Sequence, residues 1–170
     1  MRHSLIKDNF RYYLIDDMDY RGENSRPLIV IQKNPSRANK ERSDSTVGKV
    51  VNWAKKRYFT SIIFLNLFCY ITPDSGYFND ININSCMGEE ANQYITDFTS
   101  KYNSAIIVAA WGNKPKKLSE KKYKERINDV VGIIGKNRLK IVGNKTTKGY
   151  PRHGLSWNKN PELDEYSKFF

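Results

Sequence analysis

Apolar, mostly β-branched runs alternate with polar stretches along this chain. Four of them lie at 28–32, 61–65, 104–109 and 138–142, and a fifth, weaker run lies at 11–15. Continuous apolar runs of this length are typical of parallel strands that are covered on both faces. The fourth run is shorter and more polar, which favours a position at a sheet edge. The run at 11–15 would form an N-terminal edge strand.

Helical patterns separate these runs. Asp44 is positioned to cap a helix that continues to residue 56, with an apolar stripe that repeats at helical spacing. Similar stripes predict helices over 88–102 and 119–134, and the tail at 161–170 would form a short helix. No repeat or linker divides the chain. We therefore expect one domain over 1–170, with a loose N-terminus over 1–10.

Strand–helix alternation implies right-handed crossovers and a parallel sheet with helices on both faces, a three-layer α/β/α sandwich. In open sheets of this kind, ligands bind outside the carboxyl ends of the strands. That rule selects four loops, at 33–37, 66–74, 111–115 and 143–157. These loops contain most of the unusual polar side chains of the chain.

The charge points towards polyanions. The chain has 29 Lys and Arg against 18 Asp and Glu, a net charge of +11. Such an excess attracts nucleic acid, although a lysine-rich solvated surface would give the same balance. No apolar run approaches the roughly 20 residues of a membrane span. With no secretory signal and no CxxC pair for Cys69 or Cys86, we expect a cytoplasmic protein that does not associate with membranes.

The first two loops each contain an Asn whose side-chain amide could contact a ligand. Asn34-Pro35 directly follows the first strand, and such an Asn can hold a ligand or a water, although Asn, Pro and Ser also favour a plain turn. Asn66 ends the second strand, where an amide can pair with a donor and an acceptor on a base edge. Phe68 and Tyr70 follow it and could stack on a base, or could simply pack in the core or loop.

The last two loops differ in character. Trp111 closes the third strand and reads as a structural anchor, with Gly112 allowing a close backbone approach. His153 follows the fourth strand among several cations, where it could face a phosphate or a developing anion, or lie on a basic surface. No zinc, dinucleotide or P-loop pattern is present, so the sequence predicts neither a metal nor a cofactor.

The motifs in their order resemble the uncharacterised family called domain of unknown function 1643, from about residue 11 to the C-terminus. They are Asn34-Pro35-Ser36, Asp44 with Thr46, Asn66-Leu67-Phe68 with Thr72, Ala110-Trp111-Gly112, Thr147-Lys148-Gly149 and Pro151-Arg152-His153. The chain departs from that family at Gly154, where proline is usual, and at Asn39, where aspartate is usual. Gly154 would make the last loop more flexible.

The same layout is similar, more remotely, to the uracil-DNA glycosylase superfamily, whose mismatch-specific branch has an Asn-Pro after the first strand. This resemblance implies a four-stranded parallel sheet of order 2-1-3-4, with the cleft between the first and third strands. It also implies an enzyme that hydrolyses the bond between a base and deoxyribose. The target would be a modified or damaged base that a monomer extrudes from duplex DNA, in defence against phage or in base-modification metabolism.

The resemblance also assigns roles. Asn34 would orient the attacking water, His153 would stabilise the leaving base, and Asn66 would read its edge. Ser36 would contribute to base binding, Phe68 or Tyr70 would stack on the base, Leu155 or Trp157 would fill the gap in the duplex, and Arg37, Lys145, Lys148 and Arg152 would hold phosphates. Two alternatives stay open: a non-catalytic DNA-binding module on the same fold, and a hydrolase or transferase of free nucleosides or nucleotides.

Overall fold

A single mixed sheet forms the centre of the protein. A computed structural model describes residues 1–18, 26–35, 45–72, 74–159 and 161–170. The strands of the sheet are β1 (Arg2–Lys7), β2 (Phe10–Asp17), β3 (Leu28–Gln32), β4 (Ser61–Asn66), β5 (Ile106–Ala110), β6 (Leu139–Val142) and β7 (Leu163–Glu165). Their order across the sheet is β1-β2-β4-β3-β5-β6-β7.

The four predicted central strands form the parallel part of this sheet. β4 and β5 flank β3, and β6 lies beyond β5, with all three pairs parallel. A sheet of only four parallel strands is wrong, because β1, β2 and β7 extend it with antiparallel pairs. β2 and β6 are consequently not edge strands, since β1 and β7 cover them.

The N-terminus is ordered, contrary to the expectation of a loose segment over 1–10. β1 and β2 form a hairpin whose two turn residues, Asp8 and Asn9, have φ angles of 49° and 65°. A two-residue turn with both φ angles positive matches the right-handed twist of the strands. Asp and Asn tolerate this conformation better than most residues, and this signal was present in the sequence.

Helices cover both faces of the sheet. They are α1 (Ser45–Lys55), α2 (Ile83–Met87), α3 (Ala91–Lys101) and α4 (Glu120–Ile134). The short α2 was not predicted, because five residues are too few to show a period. The tail forms β7 and a 3-10 turn at Tyr166–Lys168 rather than the expected helix. None of the helices in the described parts of the chain is long and apolar enough to cross a membrane.

Side-chain alternation along the strands divides the core into two clusters. Leu28 and Val30 of β3 pack with Val47 and Val50 of α1. The intervening Ile29 and Ile31 belong to the other cluster, which α3 and α4 complete. The same parity divides β4 and β5. This alternation puts Gln32, Asn66 and Ala110 on the α1 face at the carboxyl end of the sheet.

Candidate functional site

The predicted loops meet at the carboxyl edge of the sheet. Gln32, the last residue of β3, lies in register between Asn66 of β4 and Ala110 of β5. Asn34 follows Gln32 by two residues, and Trp111 directly follows Ala110. The four strand ends therefore lie side by side in the order β4, β3, β5, β6. We name these four strand ends and the loops that follow them the carboxyl-edge site. Its polar members are Gln32, Asn34, Asn66 and His153.

Two buried amides form the floor of the carboxyl-edge site. Gln32 and Asn66 are each 1% exposed. The Asn66 Nδ2 donates to the carbonyl of Arg11 at 3.3 Å. Within the described residues, the Asn66 Oδ1 and both polar atoms of the Gln32 amide have no hydrogen-bond partner. Leaving such atoms unpaired costs about 1–3 kcal/mol each, which makes them candidates for contact with a ligand or water. The sequence analysis did not single out Gln32, although it is the only polar residue of its strand.

Asn34 keeps an acceptor available. It is partly buried, and its Nδ2 donates to the carbonyl of Pro35 at 3.0 Å. This bond orients the amide, and the Oδ1 accepts no hydrogen bond from the described part of the chain. An oriented amide oxygen of this kind can accept a hydrogen bond from a water. Ser36 and Arg37, together with Asn39 and Asp44, lie outside the described residues.

Local backbone contacts hold His153. The Leu155 N–H donates to the His153 Nδ1 at 3.2 Å, and the Ser156 hydroxyl donates to the His153 carbonyl at 2.8 Å. Because Nδ1 accepts a hydrogen bond, the neutral ring carries its proton on Nε2. The imidazole is therefore arranged to donate from Nε2. The contact was not visible in the sequence, since it depends on the turn that follows the histidine.

Two glycines seat the His153 loop. Gly112 has a φ of 68°, and a Cβ there would lie 3.0 Å from the Cβ of His153. A Cβ on Gly154 would lie 2.7 Å from the Cγ2 of Val50 on α1. Gly154 is buried against that helix, in the first turn of a 3-10 segment over Gly154–Lys159. The glycine thus permits close packing on α1, a reason for glycine that the sequence-based expectation of extra flexibility missed.

A network of hydrogen bonds orders the loop between β6 and His153. The Thr146 hydroxyl donates to the Oδ1 of Asn113 at 2.7 Å, which ties the loop to the end of β5. The Tyr150 hydroxyl donates to Glu120 at 2.5 Å. Burial and this bond raise the pKa of Tyr150, and the bond is the main cause of the lowered pKa of Glu120. The loop therefore has a defined shape at neutral pH.

The loop also presents cations. Lys145, Lys148 and Arg152 are exposed, and the Arg152 Nε donates to the carbonyl of Asn144 at 2.9 Å. Leu155 is 43% exposed, unusually high for a leucine. These positions can reach a polyanion. Arg152 and Leu155 lie within two residues of His153 along the chain.

The structure contradicts two of the predicted DNA contacts. Phe68 is fully buried between Phe78 and Tyr123, with ring centroids 5.5 and 6.3 Å away, so it offers no face to a base. Trp157 is 1% exposed and packs on Trp53 at 5.0 Å, so it cannot enter a duplex. Tyr70 is partly buried and stacks on Tyr77 at 5.0 Å. Trp111 is a buried anchor, in edge contact with Tyr166.

Lys33 is a residue of the carboxyl edge to which the sequence analysis gave no role of its own. It lies between Gln32 and Asn34, and burial alone lowers the pKa of its ammonium group to about 8. Its carbonyl accepts from the Phe68 N–H at 2.9 Å. A lysine with a lowered pKa is thus a titratable group of the carboxyl-edge site, in addition to His153, and it lies directly before Asn34. Its signal in sequence was a Lys two residues after a run of four apolar residues.

Comparison with known protein families gave a match for this chain. A family model described as "Protein of unknown function (DUF1643)" matches residues 11–155. The chain belongs to the DUF1643 family. The matched residues run from β2 to Leu155 and thus include every polar member of the carboxyl-edge site. Comparisons of this DUF1643 protein with curated proteins and with solved structures gave no match.

Proposed function

We propose that this DUF1643 protein is a DNA glycosylase that hydrolyses the N-glycosidic bond of a modified or damaged base. The observation that carries the proposal is the pair of buried amides of Gln32 and Asn66, three of whose atoms have no hydrogen-bond partner among the described residues. Asn34 follows Gln32 by two residues, and His153 lies against Gly112 at the end of β5. The Nε2 of Gln32 supplies a donor group, and the Oε1 of Gln32 and the Oδ1 of Asn66 supply two acceptors on neighbouring strands. A flat heterocycle with alternating donors and acceptors satisfies that arrangement.

The mechanism assigns one task to each polar group. The Oδ1 of Asn34 accepts a hydrogen bond from the attacking water and so orients a lone pair of that water towards C1′ of the deoxyribose. The departing base gains negative charge, and the Nε2–H of His153 donates to it. Such preorganised donors lower the barrier because charge develops where they already point. Water adds to C1′, the glycosidic C–N bond breaks with its electron pair on the base, and the proton of the water ends on the departing base.

DNA contacts are assigned to the exposed surface of the His153 loop. Lys145, Lys148 and Arg152 hold phosphates, and Leu155 fills the gap left by the extruded base. Gln32 and Asn66 are almost fully buried, so base entry has to displace the chain that covers them. The net charge of +11 supports attraction to DNA at a distance.

The test begins with a screen of duplexes that carry different modified bases, followed by alkali to reveal abasic sites. On a cleaved duplex, Asn34→Ala should slow base release by roughly ten- to a thousandfold, as for the loss of one electrostatic catalytic group. DNA affinity should stay the same, because phosphate contacts supply most of it. Asn144→Ala, an exposed amide in the His153 loop, is the matched control and should release the base at the normal rate.

Two outcomes would count against the proposal. Base release by Asn34→Ala at the wild-type rate would remove the proposed role of Asn34. Tight, salt-dependent DNA binding without cleavage of any duplex in the screen would favour the non-catalytic DNA-binding module.

A further inference from the structure

Exposed lysines crowd the start of α4, at the same edge of the sheet as the His153 loop. The segment that leads from β5 into α4 contains Lys116 and Lys117, and Lys121 lies in the first turn of the helix. All three side chains are exposed, and none of them forms an ion pair within the described residues. Because this segment follows the carboxyl end of β5, the three lysines lie at the carboxyl edge of the sheet.

Two acidic side chains lie at the start of α4, and both already have partners. The Asp80 Oδ1 accepts from the Ser119 N–H at 2.7 Å, and this bond is the main cause of the lowered pKa of Asp80. Glu120 accepts from the Tyr150 hydroxyl at 2.5 Å and pairs with Lys124 at 3.4 Å. The charges of the three exposed lysines are therefore available to an anion from outside the chain.

A turn over residues 77–82 packs against the start of α4 and carries exposed apolar side chains. The Lys122 Nζ donates to the Asp80 carbonyl at 2.7 Å, which is a second bond between this turn and the helix. Ile81, directly after Asp80, is 97% exposed, and Tyr77 is 40% exposed. Apolar side chains that are exposed beside cations indicate a surface for a ligand that has both apolar and anionic parts.

The ring of Tyr77 is fixed in place by its neighbour. It stacks on Tyr70 with the ring centroids 5.0 Å apart and an angle of 15° between the planes. A hydrogen bond between the two side chains is the main cause of the raised pKa of Tyr77. Because 40% of Tyr77 stays exposed while Tyr70 covers one face, a large part of the ring is open to a planar partner.

The start of α4 and the His153 loop are parts of one continuous surface. Glu120 and Lys124 of the helix line a cavity of about 330 Å³ together with Lys148 and Gly149 of the loop. The bond from the Tyr150 hydroxyl to Glu120 joins the two segments. Exposed cations therefore continue from the His153 loop onto the start of α4, an arrangement that fits the backbone of a nucleic acid.

We propose that the three lysines and the 77–82 turn, which we name the α4-start surface, bind an unpaired stretch of DNA beside the target base. The lysines contact phosphates, and a base stacks on Tyr77 and packs against Ile81. A duplex presents phosphates and groove edges, whereas an unpaired strand also presents the open faces of its bases to an exposed ring. The inference rests on the proposed function, because it takes DNA as the partner. It makes a duplex with an unpaired flank the preferred substrate.

Fluorescence anisotropy with labelled DNA tests this inference on the full chain, and the test does not require base release. The two probes are a blunt duplex and the same duplex with a short unpaired extension. The extended duplex should bind about tenfold more tightly, because a stacked base and further phosphate contacts are added.

Variants of the lysines test the phosphate contacts. The triple variant Lys116→Gln, Lys117→Gln and Lys121→Gln should bind the extended duplex about tenfold more weakly than the wild type. The slope of log Kd against log salt should fall by roughly two, since each phosphate contact with a single strand releases about 0.7 counterion. The charge-matched control replaces three exposed lysines near the amino ends of the strands by Gln, namely Lys55, Lys56 and Lys136. This control should keep the affinity of the wild type.

Variants of Tyr77 test the stacked base. Tyr77→Ala should weaken the extended duplex about tenfold and leave the blunt duplex unchanged, because only an unpaired base can stack on the ring. Tyr77→Phe keeps the ring and should bind the extended duplex as tightly as the wild type. Tyr58→Ala, which removes a tyrosine that is 64% exposed just before β4, is the control and should change neither affinity.

The outcomes separate this inference from the glycosylase proposal. Equal affinity of the wild type for the two duplexes would overturn the inference alone. So would a lysine triple variant that binds like its control, or a Tyr77→Ala protein that keeps the preference for the extension. Failure to bind either duplex would overturn it and would also remove the DNA contacts assigned to the His153 loop. If Tyr77→Ala does not fold, the lysine variants and the two duplexes decide the result.

Discussion

The two faces of the sheet bury different kinds of polar group at the end of β4. On the α1 face, Gln32 and Asn66 are neutral amides in register, with three unpartnered atoms within the described residues. On the opposite face, Arg126 is a charged group that holds the carbonyl of Leu67. Among the described residues, three amide atoms lack a hydrogen-bond partner, whereas Arg126 lacks an ion-pair partner.

This difference has energetic consequences. An unpaired buried amide is satisfied by any neutral donor or acceptor, such as the edge of a base. A buried guanidinium without a carboxylate is more costly, because burying an uncompensated charge costs more than burying a neutral dipole. Stability alone does not explain the amide of Gln32, since an apolar residue of similar size would leave no polar atom unpaired there.

The largest effect on stability should come from Phe68 and Trp157, two of the aromatics that the sequence analysis assigned to DNA. Phe68 and Trp157 are each buried, one on either face of the sheet. Replacement of either by Ala should cost about 3–5 kcal/mol in the free energy of unfolding, because it leaves a large cavity. Leu155→Ala, at an exposed position of the same loop as Trp157, should change it by less than about 0.5 kcal/mol. Urea unfolding measures all three, and a Trp157→Ala protein of wild-type stability would contradict the core role.

A smaller effect should come from Gly154, which seats His153 on the α1 face. Gly154→Ala puts a Cβ 2.7 Å from the buried Val50 and should cost about 1–3 kcal/mol through overpacking. Gly132→Ala is the matched control, because a Cβ there, in the last turn of α4, meets nothing within 4 Å. That change should instead stabilise by roughly 0.5–1 kcal/mol through helix propensity. Equal effects of the two substitutions on thermal unfolding would show that Gly154 does not pack closely on α1.

The smallest effect should be at Gln32, and its contrast with Arg126 separates the two buried polar groups directly. Gln32→Met removes an amide with no partner in the described residues and should change stability by no more than about 1 kcal/mol, in the stabilising direction. Arg126→Met deprives the Leu67 carbonyl and the Asn92 amide of their donor and should destabilise by about 1–3 kcal/mol. Denaturant titration of both variants measures the difference. Strong destabilisation by Gln32→Met would mean that its amide is structural and not available to a ligand.

The local pattern of the sequence predicted the central elements well. The runs at β3 and β4 and the helical stripes of α1, α3 and α4 are read from neighbouring residues, because burial of one face imposes a period of 2 or 3.6. The positions of Asn34, Asn66 and Trp111 at strand ends followed from the same pattern. The β1–β2 hairpin was missed, because its strands are partly exposed and its turn has no glycine.

By itself, the sequence determined which residues end the parallel strands and therefore which side chains can share the carboxyl edge. Only the tertiary structure decided which of them face a ligand. Trp157 is buried because it meets Trp53, and Phe68 because it meets Tyr123, both partners distant along the chain. In the sequence, Arg126 has the pattern of an exposed helix residue. In the structure it is a buried cation, because α4 packs over the carbonyl of Leu67. Burial of a side chain depends on such distant segments, and a local pattern of polar and apolar residues does not encode them.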